Sequence, residues 1–220
     1  MAIFDIIGPV MVGPSSSHTA GAVRIGYVSG KLLGEPVKKA VINLYGSFLA
    51  TGKGHGTQKA LVAGLLGMVP DDIRIPDSFF LAKKDGMEFS FSTITLKDAH
   101  PNTAVLRLTG EHGRKIEVQA ASIGGGRILI AKLDGIEVNF SAEKPTLIVH
   151  NVDQPGHVAQ VTSMLAEKQV NIATLQLYRD KRGGYAVMVI ETDQEVPEES
   201  VAWLEQLDGI IKVTYINVEE

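Results

Sequence analysis

The chain has 220 residues, of which 45% are hydrophobic and 21% charged, and its formal net charge is −4. This composition is typical of a globular protein and excludes a disordered chain, and the slightly acidic balance argues against nucleic-acid binding. No apolar stretch is long enough to span a bilayer, and residues 1–12 lack the features of a signal peptide. We therefore expect a cytoplasmic protein.

Cysteine is absent from the sequence. This absence excludes disulfides, a catalytic thiol, a thiolate zinc site and a thiolate-held iron–sulfur cluster within the chain. The six histidines include no pair spaced as zinc ligands around a glutamate, so we predict no metal bound by this chain. No nucleotide-binding glycine motif and no hydrolase nucleophile motif occurs either.

The N-terminal part predicts an α+β domain over residues 1–143. Hydroxyl residues before an apolar run predict a helix from about residue 17 to 33, and a β-branched segment predicts a strand over residues 37–44. A glycine-rich turn over residues 52–56 precedes a second helix, which Thr57 would cap. Alternating patterns then predict four strands, over residues 87–96, 103–109, 114–121 and 127–133.

A polar linker near residue 144 introduces a second domain over residues 146–220. Its pattern predicts a ferredoxin-like βαββαβ module with two helices on one face of an antiparallel sheet. The predicted strands and helices follow in chain order, over residues 146–149, 157–167, 170–179, 185–191, 197–206 and 210–216.

A cluster of polar side chains, Ser15-Ser16-Ser17-His18-Thr19, stands at the predicted start of the first helix. Unpaired backbone N–H groups and the positive end of the helix dipole favour an anion there, such as a substrate carboxylate. The simpler interpretation is a helix cap with spare serines. Five consecutive polar residues exceed what capping needs, which favours binding.

Other candidate residues lie in turns. His55 stands between Gly54 and Gly56, which leave its imidazole accessible as a general base, although such a motif alone is more often a water-exposed turn. His100 and Asn102 enter a strand and Ser122 leaves one, so all three could present donors at a sheet edge. An X-Pro turn and a hairpin loop are the alternative explanations.

The second domain offers a candidate amino-acid site where its first strand meets its first helix. The residues are Asp153, Gly156 and His157, with Asn171 expected nearby at the start of the next strand. A purely structural or dimerising module, which buries its edge strand against another copy, is about equally supported.

Four motifs in order resemble one enzyme family, the β chain of bacterial iron–sulfur-dependent L-serine dehydratases. They are residues 13–19, 52–57, 100–103 and 122–126. The N-terminal domain of that family is similar to the allosteric-substrate-binding domain of some phosphoglycerate dehydrogenases. Residues 153–156 match the first turn of an ACT domain, so the resemblance covers essentially the whole chain.

The resemblance implies an L-serine ammonia-lyase that makes pyruvate and ammonia, in serine catabolism and gluconeogenesis. The site would be shared, in a heterodimer, with a cysteine-bearing α chain that holds a [4Fe–4S] cluster. In that family an iron of the cluster acts as a Lewis acid on the serine hydroxyl while a base removes the α-proton. No pyridoxal phosphate is implied.

Carried onto this sequence, the resemblance makes His55 the candidate base, with His18 as the second catalytic residue. The substrate-binding candidates are Ser15, Ser16, Ser17, Thr19, His100, Asn102 and Ser122. A homodimer through either domain is a further expectation.

A second hypothesis is a free-standing ACT protein that binds an amino acid and regulates another enzyme. A third, a dehydrogenase fragment, is weakened by the missing nucleotide motif. The sequence leaves open the ligand of the ACT domain, the stoichiometry with an α chain, the identity of the base, and activity on threonine.

Overall fold

The computed structural model describes residues 10–217 with the exception of residues 51 and 53. The signal-peptide argument for the first residues and the Lys53 position of the glycine-rich turn lie outside this part. The described residues form two compact units, with the boundary between Gly135 and Ile136. The boundary between the two units lies before the linker that was predicted near residue 144. Strand β6 (Ile136–Phe140), which follows this boundary, was not predicted. Its available signal was Asp134-Gly135, a dipeptide common in tight turns, in which both residues have positive φ angles.

The sheet of the first unit brings three chain segments to one edge. Its strands have the order β2-β1-β3-β4-β5, with β2 parallel to β1 and the other pairs antiparallel. Leu44 pairs with Ala104, and Thr103 pairs with Ala121. The end of β1, the start of β3 and the end of β4 therefore meet. The strands are β1 (Val37–Leu44), β2 (Glu88–Thr93), β3 (Thr103–Gly110), β4 (Lys115–Gly124) and β5 (Arg127–Leu133).

The helices of the first unit follow the prediction only in part. Helix α1 (Gly21–Leu33) is preceded by a π-helical turn (Ser16–Ala20), which places the helical start where the hydroxyl cluster predicted it. The prediction that Thr57 caps α3 (Thr57–Leu65) is wrong, because Gly56 holds that position with a φ of 71° and Thr57 is the first helical residue. Two short helices, α2 (Gly46–Ala50) and α4 (Ser78–Lys84), were not predicted.

Helices α1 and α3 approach each other closely at two glycines. A Cβ atom added to Gly26 would lie 2.2 Å from the carbonyl oxygen of Leu61, and one added to Gly64 would lie 2.0 Å from that of Val23. Backbone atoms cannot yield as a side chain does, so the crossing requires glycine at both positions.

Gly26→Ala is expected to lower the free energy of unfolding by about 1–3 kcal/mol, because the added methyl group overpacks the helix crossing. Gly30→Ala, in the same helix, is the matched control. Its added Cβ would have no neighbour closer than 3.7 Å, so it should be neutral or stabilising through its better helix propensity. Urea unfolding of the two variants measures the difference, and equal midpoints would contradict the close crossing.

The second unit contains the predicted βαββαβ module. Its sheet has the order β10-β7-β9-β8 with antiparallel pairing throughout. The helices pack against side chains that alternate along the central strands, among them Leu147 and Val149 of β7. The elements are β7 (Thr146–Val152), α5 (His157–Glu167), β8 (Ile172–Arg179), β9 (Tyr185–Thr192), α6 (Glu198–Leu204) and β10 (Ile210–Ile216).

Within residues 10–217, apart from 51 and 53, the structure contains no helix long and apolar enough to cross a membrane.

Candidate active site of the first unit

The hydroxyl cluster forms the start of the helical segment that leads into α1. Ser15 is the cap, and its Oγ accepts a hydrogen bond from the backbone N–H of His18 at 3.1 Å. Ser16 and Ser17 are half-buried, and their side chains form no hydrogen bond with the described residues. Because these two hydroxyls are not needed by the cap, they are available to a ligand at the positive end of the helix.

Two imidazoles meet beside this helix start. The ring centroids of His18 and His55 are 5.1 Å apart, and the two rings are nearly perpendicular. The Thr19 hydroxyl donates to the backbone carbonyl of His55 at 3.3 Å, which ties the glycine-rich turn to the helix start. His18 is half-buried, whereas His55 is exposed. The structure thus brings together the two residues predicted to be catalytic.

The surroundings of His18 favour its neutral form. Burial lowers the pKa of His18 below its usual value, and the neighbouring His55 lowers it further. A hydrogen bond with the backbone of Ser47 acts in the opposite direction, but it is the smaller effect. A neutral ring has one nitrogen that donates and one that accepts a hydrogen bond.

Ser47 is a residue that the sequence analysis missed. It lies in α2, just after β1, and its Oγ is 3.0 Å from Nε2 of His18. Its neighbour Phe48 is fully buried and packs edge-on against the His18 ring, with the centroids 5.5 Å apart. A serine after a strand and a glycine is too common a pattern to mark a site, and the contact joins residues 29 positions apart.

The turn that contains His100 and Asn102 is linked to the same site. The backbone N–H of Ser47 donates to the carbonyl of Pro101 at 2.8 Å. His100 is exposed, and its Nδ1 accepts a hydrogen bond from the backbone N–H of Asn102 at 3.1 Å. The side chain of Asn102 donates to the backbone carbonyl of Ser122 at 3.4 Å. All four predicted motifs are therefore connected by hydrogen bonds or ring contacts.

Ser122 is placed differently from the other candidates. Its side chain is fully buried against the start of α1, where a Cβ added to Gly21 would lie 2.1 Å from its Oγ. That Oγ has no hydrogen-bond partner among the described residues. In this structure the Ser122 side chain packs beneath the helix start, and its role in substrate binding stays a prediction.

The predicted ACT ligand loop is held by its own contacts. Asp153 accepts hydrogen bonds from the backbone N–H of Gly183 at 2.9 Å and from Arg179 at 3.0 Å. These bonds, first that of Gly183 and then that of Arg179, lower the pKa of the Asp153 carboxyl group. Gly156 has a φ of 110° and is the residue just before α5, and the ring of the buried His157 is hydrogen-bonded to Gln160. Asp153 thus joins this loop to the turn between β8 and β9.

The expectation that Asn171 lies near this loop is wrong. Its amide donates to Asp193 at 2.6 Å, at the end of the sheet where Thr146 pairs with Glu191. Asp153 follows the other end of β7, a strand about 20 Å long. The prediction failed because α5 carries the chain back along β7, so that β8 runs parallel to β7 and begins at the end of the sheet where β7 begins.

The described residues contain no group of three or more His, Cys, Asp or Glu side chains arranged to hold a metal ion.

Comparison with known proteins also distinguishes an N-terminal and a C-terminal part of the chain. The profile of the serine dehydratase beta chain matches residues 2–85, and that of the ACT domain matches residues 145–209. A protein named probable L-serine dehydratase, beta chain, of Bacillus subtilis (strain 168) is 40% identical over 215 residues, which cover 98% of this chain and 97% of the relative.

Two other relatives extend the comparison. The L-serine dehydratase, beta chain, of Peptoniphilus asaccharolyticus is 36% identical over 216 residues, covering 98% of this chain and 97% of the relative. A D-3-phosphoglycerate dehydrogenase of Methanocaldococcus jannaschii is 28% identical over 176 residues, covering 80% of this chain and 33% of that protein.

These findings define an α+β protein whose C-terminal part is an ACT domain. The chain belongs to the family of L-serine dehydratase β chains.

Proposed function

We propose that this chain is the β subunit of an enzyme that converts L-serine to pyruvate and ammonia. The observation that carries the proposal is the pair of imidazoles, His18 and His55, beside a helix start rich in hydroxyl groups. Family membership supports the same activity, since the two relatives of nearly equal length are named as L-serine dehydratase β chains.

The helix start would bind the substrate carboxylate. Ser16 and Ser17 offer hydroxyl donors, and the backbone N–H groups of the first turn add the positive end of the helix dipole. His100 and Asn102 would stand in a supporting position, because their turn is hydrogen-bonded to α2 and to β4. A carboxylate held here would place the Cα of serine near the two histidine rings.

His55 would then act as the base. Its ring is exposed, and it has no hydrogen-bond partner among the described residues, so a ring nitrogen is available to take the proton from Cα. The electron pair left on Cα forms the double bond to Cβ as the Cβ–O bond breaks, and the departing hydroxide together with the abstracted proton amounts to one molecule of water. The resulting aminoacrylate adds water and loses ammonia to give pyruvate.

An iron–sulfur cluster would have to come from another chain. Thiolates hold such clusters in proteins, and this sequence contains no cysteine, so its residues do not fit the group. We therefore propose a cysteine-bearing α chain as the partner, and no step of the reaction above is assigned to the cluster. Thiolate ligands persist in a reducing compartment, which supports a cytoplasmic location for the complex.

Anaerobic co-expression of this chain with cysteine-bearing candidate α chains from the same genome tests the proposal. We expect the purified pair to release pyruvate from L-serine, and either chain alone to release none. L-Threonine, assayed in parallel for 2-oxobutyrate, measures how strictly the pair selects its substrate. If no pair is active while this chain alone binds an amino acid by calorimetry, the free-standing regulatory function replaces the catalytic one.

A further inference from the structure

We propose that Ser47 is a positioning residue, which holds the His18 ring in one tautomer and thereby orients His55. The inference deepens the proposed function and rests on it. The Oγ of Ser47 is 3.0 Å from Nε2 of His18, and the Oγ of Ser15 is 3.4 Å from Nδ1 on the other side of the ring. Both nitrogens of His18 are therefore engaged by hydroxyl groups.

The two hydroxyl groups are not equivalent. The Oγ of Ser15 already accepts the backbone N–H of His18, so its own proton is free to be donated to Nδ1. The consistent arrangement is a neutral ring with its proton on Nε2, facing Ser47. Because neither nitrogen is then free, His18 does not take the substrate proton, and His55 does.

The position of Ser47 is itself fixed by the neighbouring turn. Its backbone N–H donates to Pro101 at 2.8 Å, and that of Tyr45 donates to Thr103 at 3.1 Å. At Gly46, where φ is 56°, an added Cβ would lie 2.5 Å from the carbonyl oxygen of Pro101. These contacts fix α2 against the turn that contains His100 and Asn102. Ser47 is therefore held in place beside His18.

The His18 ring orients the His55 ring by direct contact. One side of the ring packs on buried Phe48, at a centroid distance of 5.5 Å, and the ring meets His55 at 5.1 Å. The ring of His55 has this edge contact but no hydrogen bond with the described residues. A rotation of His18 would therefore remove the side-chain contact that orients the exposed His55 ring.

The tautomer is measured on this chain alone, by ¹⁵N NMR of its histidine side chains at pH 7.5. We expect one nitrogen of His18 to show the protonated shift and the other the unprotonated shift. In Ser47→Ala the two shifts should move toward each other, as expected for a mixture of tautomers, and Ser47→Thr should restore the separation. An unchanged pair of shifts in Ser47→Ala would overturn the inference.

The second experiment uses the assembled complex of this chain with its α chain. Ser47→Ala is expected to lower kcat about ten- to a hundredfold with little change in KM, because displacement of a catalytic group reduces the rate rather than binding. Ser47→Thr should recover most of the loss, and Ser90→Ala, at an exposed position in β2, should match the parent. Parental kcat in Ser47→Ala would also overturn the inference. If the parent pair makes no pyruvate, the proposed function fails, while the NMR result still decides whether Ser47 holds His18.

Discussion

His55→Ala is expected to lower kcat of the assembled pair for pyruvate formation by about 10²- to 10⁴-fold, the contribution typical of a general base. The alanine removes the acceptor of the α-proton but leaves the helix start intact. Thr19 bonds to the backbone carbonyl of residue 55 and not to its side chain, so the turn should keep its position. The KM for L-serine should accordingly change much less than kcat.

The matched control is His112→Ala. His112 is also an exposed histidine, with 77% of its side chain accessible, but it lies at the opposite end of β3 from His100. This variant should keep the parental kcat. Gel filtration and circular dichroism must show that both variants assemble and fold like the parent. A folded His55→Ala pair with the parental kcat would assign the base to another residue.

The second unit is expected to lose stability as the pH falls below 6.5, because of a buried histidine. His150 in β7 is 1% exposed, and its Nδ1 is hydrogen-bonded to the hydroxyl group of Tyr185. Burial, and then the positive charge of Lys212, lower the pKa of His150 from 6.5 to about 4. The unfolded chain therefore binds a proton at a pH where the folded chain does not.

The direction of the change in stability, and the pH range over which it occurs, follow from this difference in proton binding. Stability is fully present above pH 6.5, decreases as the pH falls, and has lost about 3 kcal/mol once the pH reaches 4. About 1.4 kcal/mol of this loss occurs by pH 5.5, before most carboxylates begin to titrate. Measurements between pH 7.5 and 5.5 therefore separate the contribution of histidine from that of the carboxylates, and the His150→Gln variant assigns it to this residue.

The single tryptophan of the chain, Trp203, lies in α6 and reports unfolding of the second unit by fluorescence. Urea unfolding at several pH values should show the decrease in the parent, and His150→Gln should remove most of it, although this variant has a lower stability at pH 7.5. His112→Gln serves as the control for loss of a surface imidazole and should keep the parental pH dependence. An equally steep decrease in His150→Gln would contradict the assignment.

Much of the fold could be read from local patterns. Strand β1, helix α5 and strand β10 have the bounds that the sequence predicted, because each is a run of apolar residues with a clear period between turn residues. The βαββαβ order of the second unit follows from the same signals. The hydroxyl cluster and the Gly-His-Gly turn also marked residues that the structure brings together.

Other features were set by contacts between distant parts of the chain. Helices α2 and α4 have five and seven residues, too few for a helical period, and packing decides their conformation. His150 lies in a strand that is buried along almost its whole length, so alternation could not show which face would exclude water from the imidazole. Strand direction placed Asn171 and Asp153 at opposite ends of the sheet.

The candidate site likewise combines features that could be predicted from the sequence with features that could not. The sequence by itself determined which residue types were available for acid–base chemistry and that no thiolate ligand was among them, because both follow from composition and short motifs. Only the tertiary structure decided that Ser47 faces His18, that His18 meets His55, and that Ser122 packs beneath the helix start. The reason is that strand order and register bring these segments to one edge of the sheet, and neither can be derived from local periodicity.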